Sequence, residues 1–189
     1  MDPETVGQVV LLTDDGTPCG TAPKNEVHTS STPLHLGFSC HVMDGLGRVL
    51  VTRRSLAKQT WPGVWTNSFC GHPRPAERLE DAVRRHAFHE LGFSVGRVLP
   101  ALSDFRYRAV DASGVVEQEI CPVFTATVQD DPRPNPDEVA EYAWSSPGEL
   151  RAAVDAAPWA FSPWLVLQVP QMPLYQAGPH PAGSGDDRS

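Results

Sequence analysis

An α+β fold, a mixed β-sheet sandwiched between helices, is what this sequence predicts, on three observations. Two segments read as β-hairpins, one segment with helical periodicity lies between them, and a second helical segment follows towards the C-terminal end. The 189 residues suit one domain. A chain of that length buries ~70 % of its unfolded surface, enough for a single core without staples.

The elements follow in chain order. Residues 7–12 form a short apolar run, and Asp14-Asp-Gly16 is a turn that folds the next segment back on it. After Pro33, the residues Leu34, Leu36, Phe38, Cys40 and Val42 alternate with His35, Gly37, Ser39 and His41, which predicts one strand with one buried face. Asp44-Gly-Leu-Gly47 turns this strand into residues 49–54 and completes the first hairpin. Residues 77–91 read as a helix, because Leu79, Val83, Ala87 and Leu91 recur every four positions, with Pro75 before and Gly92 after. Residues 105–110, the turn Asp111-Ala-Ser-Gly114 and residues 115–128 form the second hairpin. Residues 130–137, with three prolines, predict a loop, and residues 147–154 a second helix. One domain is expected over 1–176; residues 177–189, rich in Gly, Pro, Ser and Asp, are expected to be a disordered tail.

Charge and composition exclude several partners. Fifteen basic against 23 acidic residues give a net charge of -8, a field that repels nucleic-acid phosphates and anionic membranes. The start Met1-Asp-Pro-Glu-Thr5 lacks a positive charge followed by an apolar run, so no signal peptide is expected, and no run of ~20 apolar residues occurs. A soluble cytoplasmic protein with neither a nucleic-acid nor a membrane partner is expected. Cys19, Cys40, Cys70 and Cys121 would stay thiols in a reducing compartment, and no Cys-x-x-Cys pair marks a zinc site.

Several residues could carry chemistry. Glu117 and Glu119, two apart in an apolar strand, share a face. Spacing leaves two readings: a solvated sheet face, or a cation that relieves their repulsion, joined by His28, His35 and His72. Those nitrogen and oxygen donors suit Mn, Fe, Co, Ni or Zn better than Ca. Cys70, two residues before His72, is either a buried inert thiol or one drawn towards thiolate by neighbouring positive charge. On the helix, Glu90 and His86 fall on the apolar side, where a carboxylate needs a partner: a divalent ion with a diphosphate, an arginine or a core hydrogen bond. Lys24, Arg53, Arg54, Lys58 and Arg85 could meet a diphosphate or be plain surface charges. Pro158-Trp-Ala-Phe-Ser-Pro-Trp164 reads as a core plug or lid hinge, and a Trp face can also stabilise a cation.

Residues 71–93 resemble the Nudix box, a glycine, five residues, a glutamate, seven residues, then Arg-Glu-x-x-Glu-Glu-x-Gly. Gly71, Glu77, Arg85, Glu90 and Gly92 match, while His86 and His89 replace two of its carboxylates. In Nudix hydrolases those carboxylates hold Mg²⁺, so their loss argues against efficient hydrolysis. Together with Trp61-Pro-Gly-Val-Trp-Thr-Asn-Ser-Phe-Cys-Gly-His-Pro73, Asp104-Phe-Arg-Tyr-Arg108, Glu117-Gln-Glu-Ile-Cys-Pro-Val-Phe124 and the segment ending at Trp164, the chain is similar to the type 1 isopentenyl-diphosphate delta-isomerases over about residues 6–169.

That resemblance implies a Nudix-type α/β/α sandwich and an isomerase of isoprenoid biosynthesis. Its substrates would be isopentenyl and dimethylallyl diphosphate, interconverted by metal-assisted protonation and deprotonation through a tertiary carbocation. It implies Cys70 and Glu119 as acid and base, Tyr107 as the hydrogen-bond partner of Glu119, and Trp164 as the π-face over the cation. It also implies one Mn²⁺, Zn²⁺ or other transition ion on His28, His35, His72, Glu117 and Glu119, and one Mg²⁺ on Glu90 with the diphosphate. Lys24, Arg54, Lys58 and Arg85 would bind diphosphate oxygens; the family commonly has an arginine where His86 stands. The only partner implied is the small-molecule substrate, for a monomer or a homodimer. The alternative is a Nudix hydrolase of nucleoside or prenyl diphosphates.

Overall fold

The computed structural model describes residues 7–176; the expected tail at 177–189 lies outside them. Twelve strands and three α-helices follow one another in it. The strands are β1 Gln8–Leu12, β2 Pro18–Pro23, β3 His35–Leu36, β4 Phe38–Met43, β5 Val49–Arg54, β6 Trp65–Thr66, β7 Phe69–Gly71, β8 Val98–Leu102, β9 Arg106–Val110, β10 Val116–Ile120, β11 Val123–Thr127 and β12 Val139–Ser145. The helices are α1 Leu79–Leu91, α2 Pro147–Ala156 and α3 Pro163–Gln168. One sheet has the order β2-β1-β3-β10-β9; the other runs β12-β5-β4-β11-β8, with β6 on β5 and β7 on β4.

Two strands expected to be continuous are each divided between the sheets. The run from 34 to 42 breaks at Gly37 into β3 and β4, and the run from 115 to 128 breaks at Cys121-Pro122 into β10 and β11. The halves travel together. Glu119 pairs in parallel with His35 in the first sheet, and Val123 pairs in parallel with Ser39 in the second. Gly37 sits at the crossing, where a Cβ would collide with the Glu119 carboxylate. The alternation in 34–42 therefore does not mean one buried face: His35, Ser39 and His41 are as buried as Phe38 and Cys40.

The second sheet is covered on both faces. From α1, Ala82, Val83, Ala87 and Leu91 pack on Phe38, Cys40, Val42, Phe124 and Ala126. On the other side Leu150, Val154, Trp164, Leu165 and Val169 pack on Val49, Val51 and Val123. This is the expected α/β/α sandwich with mixed sheets. At ~25 cal/mol per Å² of buried apolar surface, these two layers are the main source of stability.

Helix ends follow local chemistry. α1 starts two residues later than periodicity predicts, because Ala76 takes a left-handed φ of 63° and the Glu77 carboxylate accepts a hydrogen bond from the Arg74 N–H at 2.7 Å. Gly92, at φ 68°, closes it. α2 opens on a reciprocal cap between Ser146 and Glu149 and extends to Ala156, two residues beyond the expected end. In the first hairpin β4 and β5 pair only at Met43 and Val49; further along they splay, and β7 and β6 enter the gap. The loop at 130–137 is as expected. Strands β8 and β12 were not anticipated. Both are sheet edges, where Pro100 and the exposed stretch from Ala140 to Ala143 mask the pattern.

Candidate active site

β10 places Glu117 and Glu119 on one face, each 6 % exposed. Its neighbours place partners on either side of Glu119, since His35 of β3 and Tyr107 of β9 are its register partners. The His35 Nδ1–H donates to the Pro33 carbonyl at 2.9 Å, which leaves Nε2 as a bare lone pair 3.4 Å from Glu119 Oε1. His72, just past β7, brings Nε2 to 3.0 Å from the same oxygen. His28 Nε2 lies 3.1 Å from Glu117 Oε2. The three rings stand 5.1 to 5.7 Å apart, and one donor atom from each of His28, His35, His72 and Glu119 lies within 4.8 Å of the others.

These donors lack something. The buried His28 Nε2, His35 Nε2 and Glu117 Oε2 have no hydrogen-bond partner, although buried polar atoms almost always find one. Convergent imidazole and carboxylate lone pairs without protons between them fit a metal ion. Burial would push Glu119 up, but the neighbouring His35 and His72 rings reverse it and hold the carboxyl well below the usual range. Burial would lower His35, but Glu119 beside it outweighs that and raises it. Burial pushes His72 down to about 4. An ionised carboxylate and a neutral imidazole are the ligating forms. Thr60, which the sequence reading passed over, donates its hydroxyl to Glu117 Oε1 at 2.7 Å.

Across the cavity stands the thiol. Cys70 of β7 is in register with Ser39 of β4, with its sulfur 3.3 Å from Ser39 Oγ, and donates to Asn67 Oδ1 at 3.1 Å. Its partners are neutral, and burial pushes it up to about 12, so the thiol keeps its proton. Of the two readings the sequence left open for Cys70, this favours the buried, protonated thiol. Asn67, fully buried and also missed, is the hub: its amide donates to the Cys40 and Phe69 carbonyls, so its oxygen faces Cys70 and the Trp164 indole N–H, the latter at 3.0 Å. The only hint in the sequence was a polar Thr-Asn-Ser run between aromatics. Trp164 lies in α3, 3 % exposed, and its ring is 5.7 Å from that of Tyr107. The segment from Pro158 is thus a core plug at Trp164, while Trp159 is 83 % exposed. Tyr107 donates its hydroxyl to Glu119 Oε2 at 3.3 Å, and burial raises its pKa well above the ordinary value.

A cavity of about 450 Å³ joins these groups: Cys70, Tyr107, Glu119 and Trp164 line it with His28, His72, Glu117 and Glu90. Lys24, Arg54 and Lys58 line it too. The Arg54 guanidinium is 5.3 Å from the Trp164 ring centre and donates to the Thr60 and Trp61 carbonyls, and Lys58 is paired with Glu138. Arg85 does not line the cavity. It grips Glu77 with two hydrogen bonds, at 2.8 and 2.6 Å, and donates to the His72 carbonyl at 3.1 Å. It braces the loop that carries His72, a correction to its expected place on the diphosphate.

Glu90 has the buried partner its position requires: His86 Nδ1 stands 2.8 Å from its carboxylate. The His86 ring fills the space beside Gly71, where a Cβ would collide with it. His89, the other replaced acid, is exposed and approaches Glu138 at 3.6 Å.

The NUDIX domain family model matches residues 33–165. The isopentenyl-diphosphate Delta-isomerase of Leifsonia xyli subsp. xyli (strain CTCB07) is 62 % identical and covers 93 % of this chain and 96 % of its own length. That of Agromyces mediolanus is 64 % identical, covering 88 % of this chain and 81 % of its own. Among solved structures, a Deinococcus radiodurans protein superposes with a TM-score of 0.68 at 19 % identity, covering 88 % of this chain and 99 % of that one. A MutT protein from Methanosarcina mazei Go1 gives 0.57 at 21 % identity, covering 73 % and 91 %. At those identities the two structures are alike in fold.

Proposed function

This chain belongs to the isopentenyl-diphosphate Delta-isomerase family of NUDIX-domain proteins, and from that premise we propose that it interconverts isopentenyl and dimethylallyl diphosphate for isoprenoid biosynthesis. The observation that carries the mechanism is one cavity lined by a protonated thiol, a carboxylate–phenol pair and a buried indole.

Moving the double bond needs a proton added at the terminal alkene carbon and another removed from the carbon next to the diphosphate-bearing one. Cys70 and Glu119 are that acid–base pair, and reversibility makes each give and take. One hands its proton to the terminal carbon, where the π electrons form the new C–H bond and a tertiary cation remains. The other takes a proton from the neighbouring carbon, and the electrons of that C–H bond close the new alkene. Tyr107 holds Glu119 and can pass its proton. The faces of Trp164 and Tyr107 exclude water and lie against the cation, worth up to ~2 kcal/mol in a dry site.

A transition ion such as Mn²⁺ or Zn²⁺ on His28, His35, His72, Glu117 and Glu119 would tune the proton affinity of Glu119. Glu90 would hold Mg²⁺ with the substrate diphosphate, and Lys24, Arg54 and Lys58 would meet the diphosphate oxygens. Among the described residues no helix is long and apolar enough to cross a membrane. With a net charge of -8, the enzyme acts on a small molecule in the cytoplasm, without nucleic acid or membrane. The Nudix hydrolase reading loses ground, because Glu77 is held by Arg85 and His86 stands where a carboxylate would.

The test is incubation with isopentenyl diphosphate, Mg²⁺ and Mn²⁺, followed by NMR. Dimethylallyl diphosphate is the expected product; release of phosphate or pyrophosphate would overturn the reading in favour of hydrolysis.

A further inference from the structure

Behind Cys70, on the side of β4 away from α1, lies a row of buried polar side chains drawn from distant parts of the chain. Tyr175 Oη is 2.7 Å from His41 Nδ1, His41 Nε2 is 2.9 Å from Gln168 Oε1, and Gln168 Nε2 is 2.9 Å from Ser39 Oγ. Ser39 Oγ in turn is 3.3 Å from Cys70 Sγ and 3.5 Å from Cys121 Sγ. Ser39, His41 and Gln168 are fully buried, and Tyr175 is 4 % exposed.

Donor chemistry gives the row one direction. An amide oxygen only accepts, so His41 carries its hydrogen on Nε2, and its bare Nδ1 accepts the Tyr175 hydroxyl. The Gln168 amide hydrogen occupies a lone pair of Ser39, and of the two sulfurs its own hydrogen can reach, Cys70 is the nearer, at 3.3 Å against 3.5 Å for Cys121, and spends its own hydrogen on Asn67. Burial pushes His41 down to about 4, which keeps the imidazole in the neutral form that such a row requires. Every group passes its hydrogen on towards Cys70, which passes its own to Asn67.

We propose that Ser39 is a further catalytic residue, its hydroxyl donating to the Cys70 sulfur while that sulfur is anionic, and that Gln168, His41 and Tyr175 are positioning residues that aim it. The inference rests on Cys70 belonging to the acid–base pair, and it holds whichever way the proton moves, because the sulfur is anionic on one side of the step. When the S–H bond breaks, its electron pair stays on sulfur and the proton goes to carbon; Ser39 keeps its own proton throughout. A hydrogen bond to charged sulfur is stronger than one to a neutral thiol, so it stabilises the charged state selectively. α3 and the turn that carries Tyr175 thereby bear on the reaction without touching substrate.

Gln168→Glu tests it with little change of shape. A carboxylate accepts on both oxygens, so the Ser39 hydrogen turns towards it and away from sulfur. The expected result is a kcat lowered roughly 10- to 100-fold, the worth of a hydrogen bond to a charged group, with KM changed less than about twofold and the metal content near wild type. Ser39→Ala should lose a similar factor, and the double variant should lose no more than Ser39→Ala alone, since Gln168 acts through Ser39. The S–H stretching band of Cys70, assigned by difference against Cys70→Ala, should shift in Gln168→Glu. An unchanged kcat in folded Gln168→Glu, losses that multiply in the double variant, or an unmoved band would overturn the inference. If Gln168→Glu does not fold, Ser39→Ala decides, since full activity there overturns it too. An active Cys70→Ala overturns the acid–base reading and this inference together; an inactive Cys70→Ala beside a fully active Ser39→Ala overturns this inference alone.

Discussion

The two walls of the cavity are built on opposite principles. The wall on β3, β9 and β10 gathers carboxylates and imidazoles whose buried lone pairs at His28, His35 and Glu117 are unmatched. The wall on β7 and α3 carries Cys70 and Trp164, backed by Ser39, Asn67 and Gln168, all neutral and each hydrogen-bonded. The first wall is complete only with a cation; the second is complete as it folds. Damage to the first should therefore change metal content, and damage to the second should change chemistry alone.

The largest effect falls on the second wall. Cys70→Ala should abolish detectable turnover, at least ~10²- to 10⁴-fold by the usual worth of a proton-transfer group, while bound transition metal stays near wild type. Metal lost along with activity would break the contrast. His72→Ala comes next and should lower both; metal analysis showing unaltered stoichiometry would remove His72 from the ligand set. Arg85→Ala removes the brace on the His72 carbonyl, and a loss of ~10-fold in metal affinity is expected, the low end for groups that orient a ligand. Titration of the apo-protein with Mn²⁺ measures it; a wild-type affinity would return Arg85 to being a simple partner of Glu77.

Much of this contrast was legible from residues. Glu117 and Glu119 share one buried strand face, and Glu90 with His86 lies on the inward side of α1, as their spacing suggests. Three things were not legible. Strand period says nothing about a chain changing sheets, so the breaks at Gly37 and Pro122 could not be seen, and with them went the burial of Ser39 and His41. Hydrogen-bond hubs such as Asn67 depend on partners up to 97 residues away. Arg85 looked free because its partner Glu77 lies eight positions back, beyond the three or four that a helix brings into contact.

A smaller effect concerns acid stability. Burial depresses His41 to about 4 from an ordinary 6.5, so the unfolded chain binds that proton first as pH falls. The stabilising contribution of neutral His41 is whole above pH 6.5 and is lost as pH drops towards 4. In metal-loaded protein, His41→Leu should flatten the fall in melting temperature over that window relative to wild type. A parallel fall would show that His41 is not the group that charges.

The central claim is that Cys70 and Glu119 carry protons to and from one five-carbon substrate. It is tested most directly by running the metal-loaded wild type and Cys70→Ala on isopentenyl diphosphate in D₂O and locating deuterium by NMR. The account predicts dimethylallyl diphosphate with deuterium in a methyl group from the wild type and no labelled product from Cys70→Ala; unlabelled product, unchanged substrate or free phosphate from the wild type would contradict it.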